Sequence, residues 1–151
     1  MNAGATVDQA EANGATPLFI AAQTRMPPLY IAAQNGHLAV VEALVKAGAA
    51  VNQAAADGAT PLFIAAEKGH LAVVEAFVKA GAAVNQAMAN GVAPLYIAAQ
   101  NGHLAVIEAL VKAGAAINQA ETNWATPLNI AAQMGHLAVV EALVKAGAAV
   151  D

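Results

Sequence analysis

Four histidines, His37, His70, His103 and His136, follow one another at intervals of 33 residues. Imidazole can bind a metal or move a proton near neutral pH. The regular spacing argues against both. Equivalent residues in stacked units lie about 10 Å apart, the distance between packed helices. A zinc–imidazole bond is only about 2 Å long, so two such histidines cannot share an ion. The expected role is structural: each opens a helix and bonds to nearby backbone. Glu42, Glu75, Glu108 and Glu141 share the period, and each has a Lys four residues on. That spacing makes a solvated helical pair, whereas acid–base work needs two carboxylates facing one substrate. The chain has no Ser and no Cys. The two commonest acyl-transfer nucleophiles are therefore missing, as are disulfides and thiolate zinc sites. GVAP at 91–94 and NGAT at 13–16 read as turns, and nothing matches a phosphate-binding glycine loop. The residues point away from an enzyme and from any metal or cofactor.

Composition narrows the partners. The 151 residues suit one domain. A net charge of −4 with only six Lys and Arg leaves no basic stripe for nucleic acid. No run of about 18 uncharged apolar residues is present to span a membrane. The N-terminal MNAGATVDQAEANG lacks the basic start and apolar stretch of a secretory signal, so a cytoplasmic location is expected. Charged residues make up 11 %, against about 25 % in ordinary domains. Alanine fills many of the expected surface positions, as in a chain simplified by an engineer; the competing reading is a natural repeat with unusual drift.

The elements that carry these residues follow from the repeat. Pro28, Pro61, Pro94 and Pro127 open near-copies of one phrase: PPLYIAA, TPLFIAA, APLYIAA and TPLNIAA. A fixed period in the range of about 20–50 residues marks a stacked repeat architecture. In residues 57–85, Thr60 suits an N-cap and Pro61 the first helical turn. Leu62, Ala65 and Ala66 share one face. Gly69 ends the first helix in the left-handed conformation. His70 and Leu71 open a second helix, with Leu71, Val74 and Val78 at helical spacing, and Gly81 closes it. A turn-bearing connection follows at 82–93. The spacing predicts first helices over 28–34, 61–67, 94–100 and 127–133, with another at 17–23. It predicts second helices over 38–47, 71–80, 104–113 and 137–146.

The strings GATPLFIAAEKGHLAVVEAFVKAGAAVNQA and WATPLNIAAQMGHLAVVEALVKAGAAV resemble ankyrin repeats, and the resemblance covers essentially the whole chain. It implies an all-α solenoid of stacked helix-turn-helix units with projecting hairpin loops. It also implies protein–protein recognition through the loops and first helices, without catalysis or cofactor. The expected organisation is a single domain over 1–151, with a truncated N-terminal unit at 1–27 and units at 28–53, 54–86, 87–119 and 120–151. The family usually has His directly after TPL, where this chain has Phe19, Tyr30, Phe63, Tyr96 and Asn129. The loop-to-helix bonds associated with that histidine are therefore in doubt. HLAVVEALVKAG occurs at 37–48 and again at 136–147, which looks consensus-like or engineered.

Function is expected where the units differ. The position of Ala55 holds Met88 and Glu121, and that of Ala56 holds Ala89 and Thr122. Asn123 falls in the same loop. The Gly58 and Gly91 position holds Trp124, and Arg25 earlier in the chain. The Ala59 position holds Val92 and Met26, with Pro27 beside it. The Phe63 position holds Asn129, and the Lys68 position holds Met134. Trp, Met and Arg are enriched in interface cores. The opposing readings are scattered apolar residues without a role and a Trp124 that packs under its own loop. The second helix at 137–146 repeats an internal one, so Leu137, Val139, Val140, Leu143 and Val144 include groups that a following unit would meet. End units normally carry polar outer faces. The expectation is a cyclic homo-oligomer, with three copies as the first guess, since asymmetric contacts close into rings or grow as fibres. The alternative is a monomer that recognises another protein on the same surface.

Overall fold

The computed structural model describes residues 26–151. The expected helix at 17–23 and residues 1–25 of the expected truncated unit over 1–27, Arg25 among them, lie outside the described residues. Within them are eight helices, α1 Pro28–Gln34, α2 Leu38–Lys46, α3 Pro61–Lys68, α4 Leu71–Lys79, α5 Pro94–Asn101, α6 Leu104–Lys112, α7 Pro127–Met134 and α8 Leu137–Lys145. Three first helices run one residue longer than the spacing predicted, and all second helices end one residue earlier. The last full turn of each second helix is capped by Ala47, Ala80, Ala113 or Ala146, and the glycine stands just beyond.

The helices form two rows. First helices pack on first helices (α1·α3·α5·α7), second on second (α2·α4·α6·α8), and each pair also packs within its unit. The core lies between the two rows, and the first row is the more deeply buried. In α3, every residue from Pro61 to Ala66 is buried. Ala33, Ala65, Ala66, Ala98, Ala99 and Ala131 have no exposed surface. Alanine here leaves no side chain beyond Cβ, which brings the helices into close contact. The second helices bury one stripe, in α4 Val73, Val74 and Phe77.

The first helices begin and end as their residues dictate. Thr60 Oγ1 accepts from Phe63 N at 3.1 Å, and Pro61 needs no acceptor at the first turn. Gly69 then takes φ 75, and His70 N donates back to Ala65 O at 3.0 Å. Pro27 and Ala93 hold the cap positions of α1 and α5 without any side-chain acceptor.

The imidazoles of His70, His103 and His136 do not bond to backbone of their own units, as the sequence suggested, but reach across to the preceding one. His70 Nε2 donates to Gln34 O at 3.1 Å, His103 to Glu67 O at 2.9 Å and His136 to Gln100 O at 2.9 Å. Those carbonyls belong to the last turn of a first helix, where no intrahelical donor remains. An asparagine ladder ties the connections together. Asn52, Asn85 and Asn118 each accept through Oδ1 from a backbone N–H 31 residues on, at Ala83, Ala116 and Ala149.

Candidate functional site

The loops between units are short hairpins that lean on one another. Ala55 N donates to Ala59 O at 2.8 Å and Gly58 N to Ala55 O at 2.9 Å, and the next two loops repeat the pattern. Neighbouring loops join through backbone: Ala89 N donates to Asp57 O at 3.2 Å, and Thr122 N to Asn90 O at 3.0 Å. The side chains of Asp57 and Asn90 brace their own turns, accepting from Ala59 N and Val92 N.

Between these loops and the first helices runs a groove of about 250 Å³, lined by residues that include Tyr30, Phe63, Met88, Val92 and Ile97. Asp57 and Glu67 supply carboxylates at the same groove. Burial, then Asp57, then Glu67 hold the Tyr30 phenol above its ordinary value of 10.0. Burial, then Glu121, do the same for Tyr96. Larger grooves lie on the opposite side between second helices. One, of about 360 Å³, is lined by Glu75, Val78, Lys79, Ala109, Lys112 and Ala113. Such grooves recur at the equivalent positions of neighbouring helix pairs. They follow from small alanines between repeating helices, so their size says nothing about a ligand.

The described off-pattern residues fall into several places. Met88 and Val92 are half-buried, pack against the core and line the loop-side groove. Thr122, Asn123 and Trp124 stand exposed in the last hairpin. Trp124 is 84 % exposed, so it does not pack under its loop. Met134 is exposed at the far end of α7. Eight helical residues, about 12 Å of axis, separate it from the hairpin side. Leu137, at the start of α8, and Val144, near its end, are further exposed apolar residues of the last unit. Met26 is exposed, and Pro27 is the half-buried cap of α1. The sequence-selected residues thus lie in the loop-side groove, at the last hairpin tip, at the far end of α7 and at the start of α1.

Trp124 is also the only described residue other than glycine with a positive φ, 71°. Gly58 and Gly91, its equivalents, take 90° and 84°. A bulky side chain in that region is an outlier and costs about 1–2 kcal/mol. The hairpin is rewired to hold it. Glu121 Oε1 accepts from Asn123 N at 2.9 Å and from Ala125 N at 3.1 Å. Glu121 thus takes over the bracing that Asp57 and Asn90 supply elsewhere. The sequence reading did not select Glu121 as a site residue. Its signal was a second off-pattern residue three positions before Trp124.

Asn129 has work inside its own helix. Its Oδ1 accepts from Thr126 N at 2.8 Å while Thr126 Oγ1 accepts from Asn129 N at 3.2 Å, a reciprocal capping box. Tyr30, Phe63 and Tyr96 occupy the same position as buried aromatics, whereas Asn129 is exposed. Among the described residues, no group of three or more His, Asp or Glu is placed to hold a metal ion. No described helix is long and apolar enough to cross a membrane.

Comparison with family models gives one match, described as ankyrin repeats (3 copies), over residues 23–88 and again over 81–151. Comparison with curated proteins gives no match.

Proposed function

Since the chain belongs to the ankyrin repeat family, whose members are protein-interaction scaffolds, we propose that it binds a second copy of itself and closes into a cyclic homo-oligomer. It acts without catalysis, as a single domain. The near-identity of its units supports an engineered, consensus-derived origin. The observation that carries the reading is Trp124: 84 % exposed, at φ 71, where the pattern has glycine. Such strain at a solvent-bare aromatic has no reward inside the fold, and strain of this kind gathers at functional sites. Thr122 and Asn123 present the same hairpin, Met88 and Val92 the groove, and Met134 and Asn129 the last first helix. Met26 and Pro27, at the start of α1, would add a further contact, and Arg25, outside the described residues, is proposed to act with them.

The mass in solution tests it. The proposal expects an integer multiple of the 15.0 kDa chain at micromolar concentration, falling toward the monomer on Trp124→Gly with helicity kept. A single-chain mass at every concentration refutes it. A second reading, a monomer that binds a different protein, is favoured by one feature. The groove carries Asp57 and Glu67 beside Phe63 and Ile97, which suits a basic and apolar segment. Retention of such a partner by a monomeric chain would select that reading.

A further inference from the structure

We infer that the hairpin edge of the last unit is built to refuse another repeat, whether supplied by this chain or by a second copy. Three observations on neighbouring groups carry this, and none of them depends on the ring.

The first is steric. Successive hairpins sit so close that the glycine at the tip has no room for a side chain. A Cβ on Gly58 would lie 2.9 Å from Ala89 N and 3.1 Å from Met88 Cα. A Cβ on Gly91 would lie 3.1 Å from both Glu121 Cα and Thr122 N. The obstacle is the backbone of the next hairpin, held by the bonds from Ala89 N to Asp57 O and from Thr122 N to Asn90 O. It cannot rotate aside as a side chain would. Trp124 stands in this position, with an indole beyond the Cβ. A hairpin arriving in register would meet that Cβ and lose its bond to Asn123 O, the carbonyl equivalent to those of Asp57 and Asn90.

The second is the neighbouring surface. Tyr30, Phe63 and Tyr96 are buried aromatics. Carboxylates of the following hairpin, Asp57 for Tyr30 and Glu121 for Tyr96, act on the two phenols. The last unit has Asn129 there, exposed, with its carbonyl oxygen committed to the start of its own helix. The apolar floor that an arriving hairpin would cover is gone.

The third is a contrast within the same unit. Gly36, Gly69 and Gly102 each face the ring of the next unit's histidine, where a Cβ would come within 2.7–2.9 Å. Gly135 holds the equivalent place and is still glycine, with nothing within 4 Å of a built Cβ. The glycine at the helix turn of the last unit keeps the form that accepts a neighbour's histidine, whereas the glycine at its hairpin tip has been replaced. Trp124 and Asn129 thus decide specificity. Any protein seated on Leu137 and Val144 must approach out of the repeat register, which bars a second copy from continuing the stack as if it were the next unit.

The experiment extends the full chain. Asp151 occupies the position of Asn85, so a copy of residues 86–118 added after it continues the period. The extension is made on the natural chain and on Trp124→Gly, which restores the residue of Gly58 and Gly91. Amide exchange is then read at the added copy of Ala89, whose N–H should donate to Asn123 O. It is expected to exchange at least about tenfold more slowly on the glycine variant, as a closed hydrogen bond does. The denaturant midpoint is expected to rise further there too. Trp124→Ala keeps the Cβ and is expected to behave like the natural chain. Equal protection of the added hairpin on Trp, Ala and Gly chains overturns the inference.

Discussion

Restoring a missing cap separates local from stacked contributions to this fold. Ala93 caps α5 with no side-chain acceptor, while Thr60 and Thr126 cap α3 and α7 through Oγ1. The backbone at all three is extended, with φ between −96° and −88°. Ala93 is 3 % exposed, and Thr60, 1 % exposed, demonstrates that threonine fits the equivalent enclosure. Ala93→Thr should place Oγ1 about 3 Å from Tyr96 N, as in the pair formed by Thr60 and Phe63. Such a cap contributes about 1 kcal/mol, equal to about 2–4 °C in Tm for a chain of this size. The urea midpoint should rise with an unchanged slope. Amide exchange gives the local reading: Tyr96 should exchange faster than Phe63 in the natural chain and slow to match it in the variant. Equal rates before substitution, or no gain in stability after it, would refute the argument.

Phe77 has no exposed surface, so Phe77→Ala should cost about 3–5 kcal/mol by urea denaturation. Trp124→Gly should instead stabilise the fold, by about 1–2 kcal/mol, because it removes a left-handed tryptophan. Gly69→Ala should be less damaging in a His103→Ala background than in the natural chain, since a Cβ at Gly69 meets the His103 ring at 2.7 Å. A double-mutant cycle measures that coupling. Burial raises the Tyr30 and Tyr96 phenols above 10.0, so the folded state favours their neutral forms. Their stabilising contribution is whole below about pH 10 and is lost as pH rises through the raised folded values. Tyr30→Phe should flatten that alkaline decline in the denaturation midpoint.

The period of 33 was enough to place every described helix to within a residue, because proline and glycine punctuate each unit by local chemistry. The histidines were less legible. Their types gave a structural role, but the acceptor lies 36 residues back in sequence, and only the stacking brings it near. Trp124 was visible as a residue out of pattern. Its exposure was not, since a tryptophan of the same sequence could have folded under its hairpin. Glu121 was visible as a residue out of pattern, but its bracing of the turn through Asn123 N and Ala125 N was not. Asn129 looked like a binding residue and also proves to close a capping box, a role fixed by its distance from Thr126.

Sedimentation equilibrium of the natural chain beside Trp124→Gly reaches the proposed association most directly. The account predicts a closed species of a few copies of the 15.0 kDa chain, with the glycine variant dissociating at concentrations where the natural chain stays whole. Identical masses for the two proteins, or single chains in both at the highest concentration reached, would contradict it.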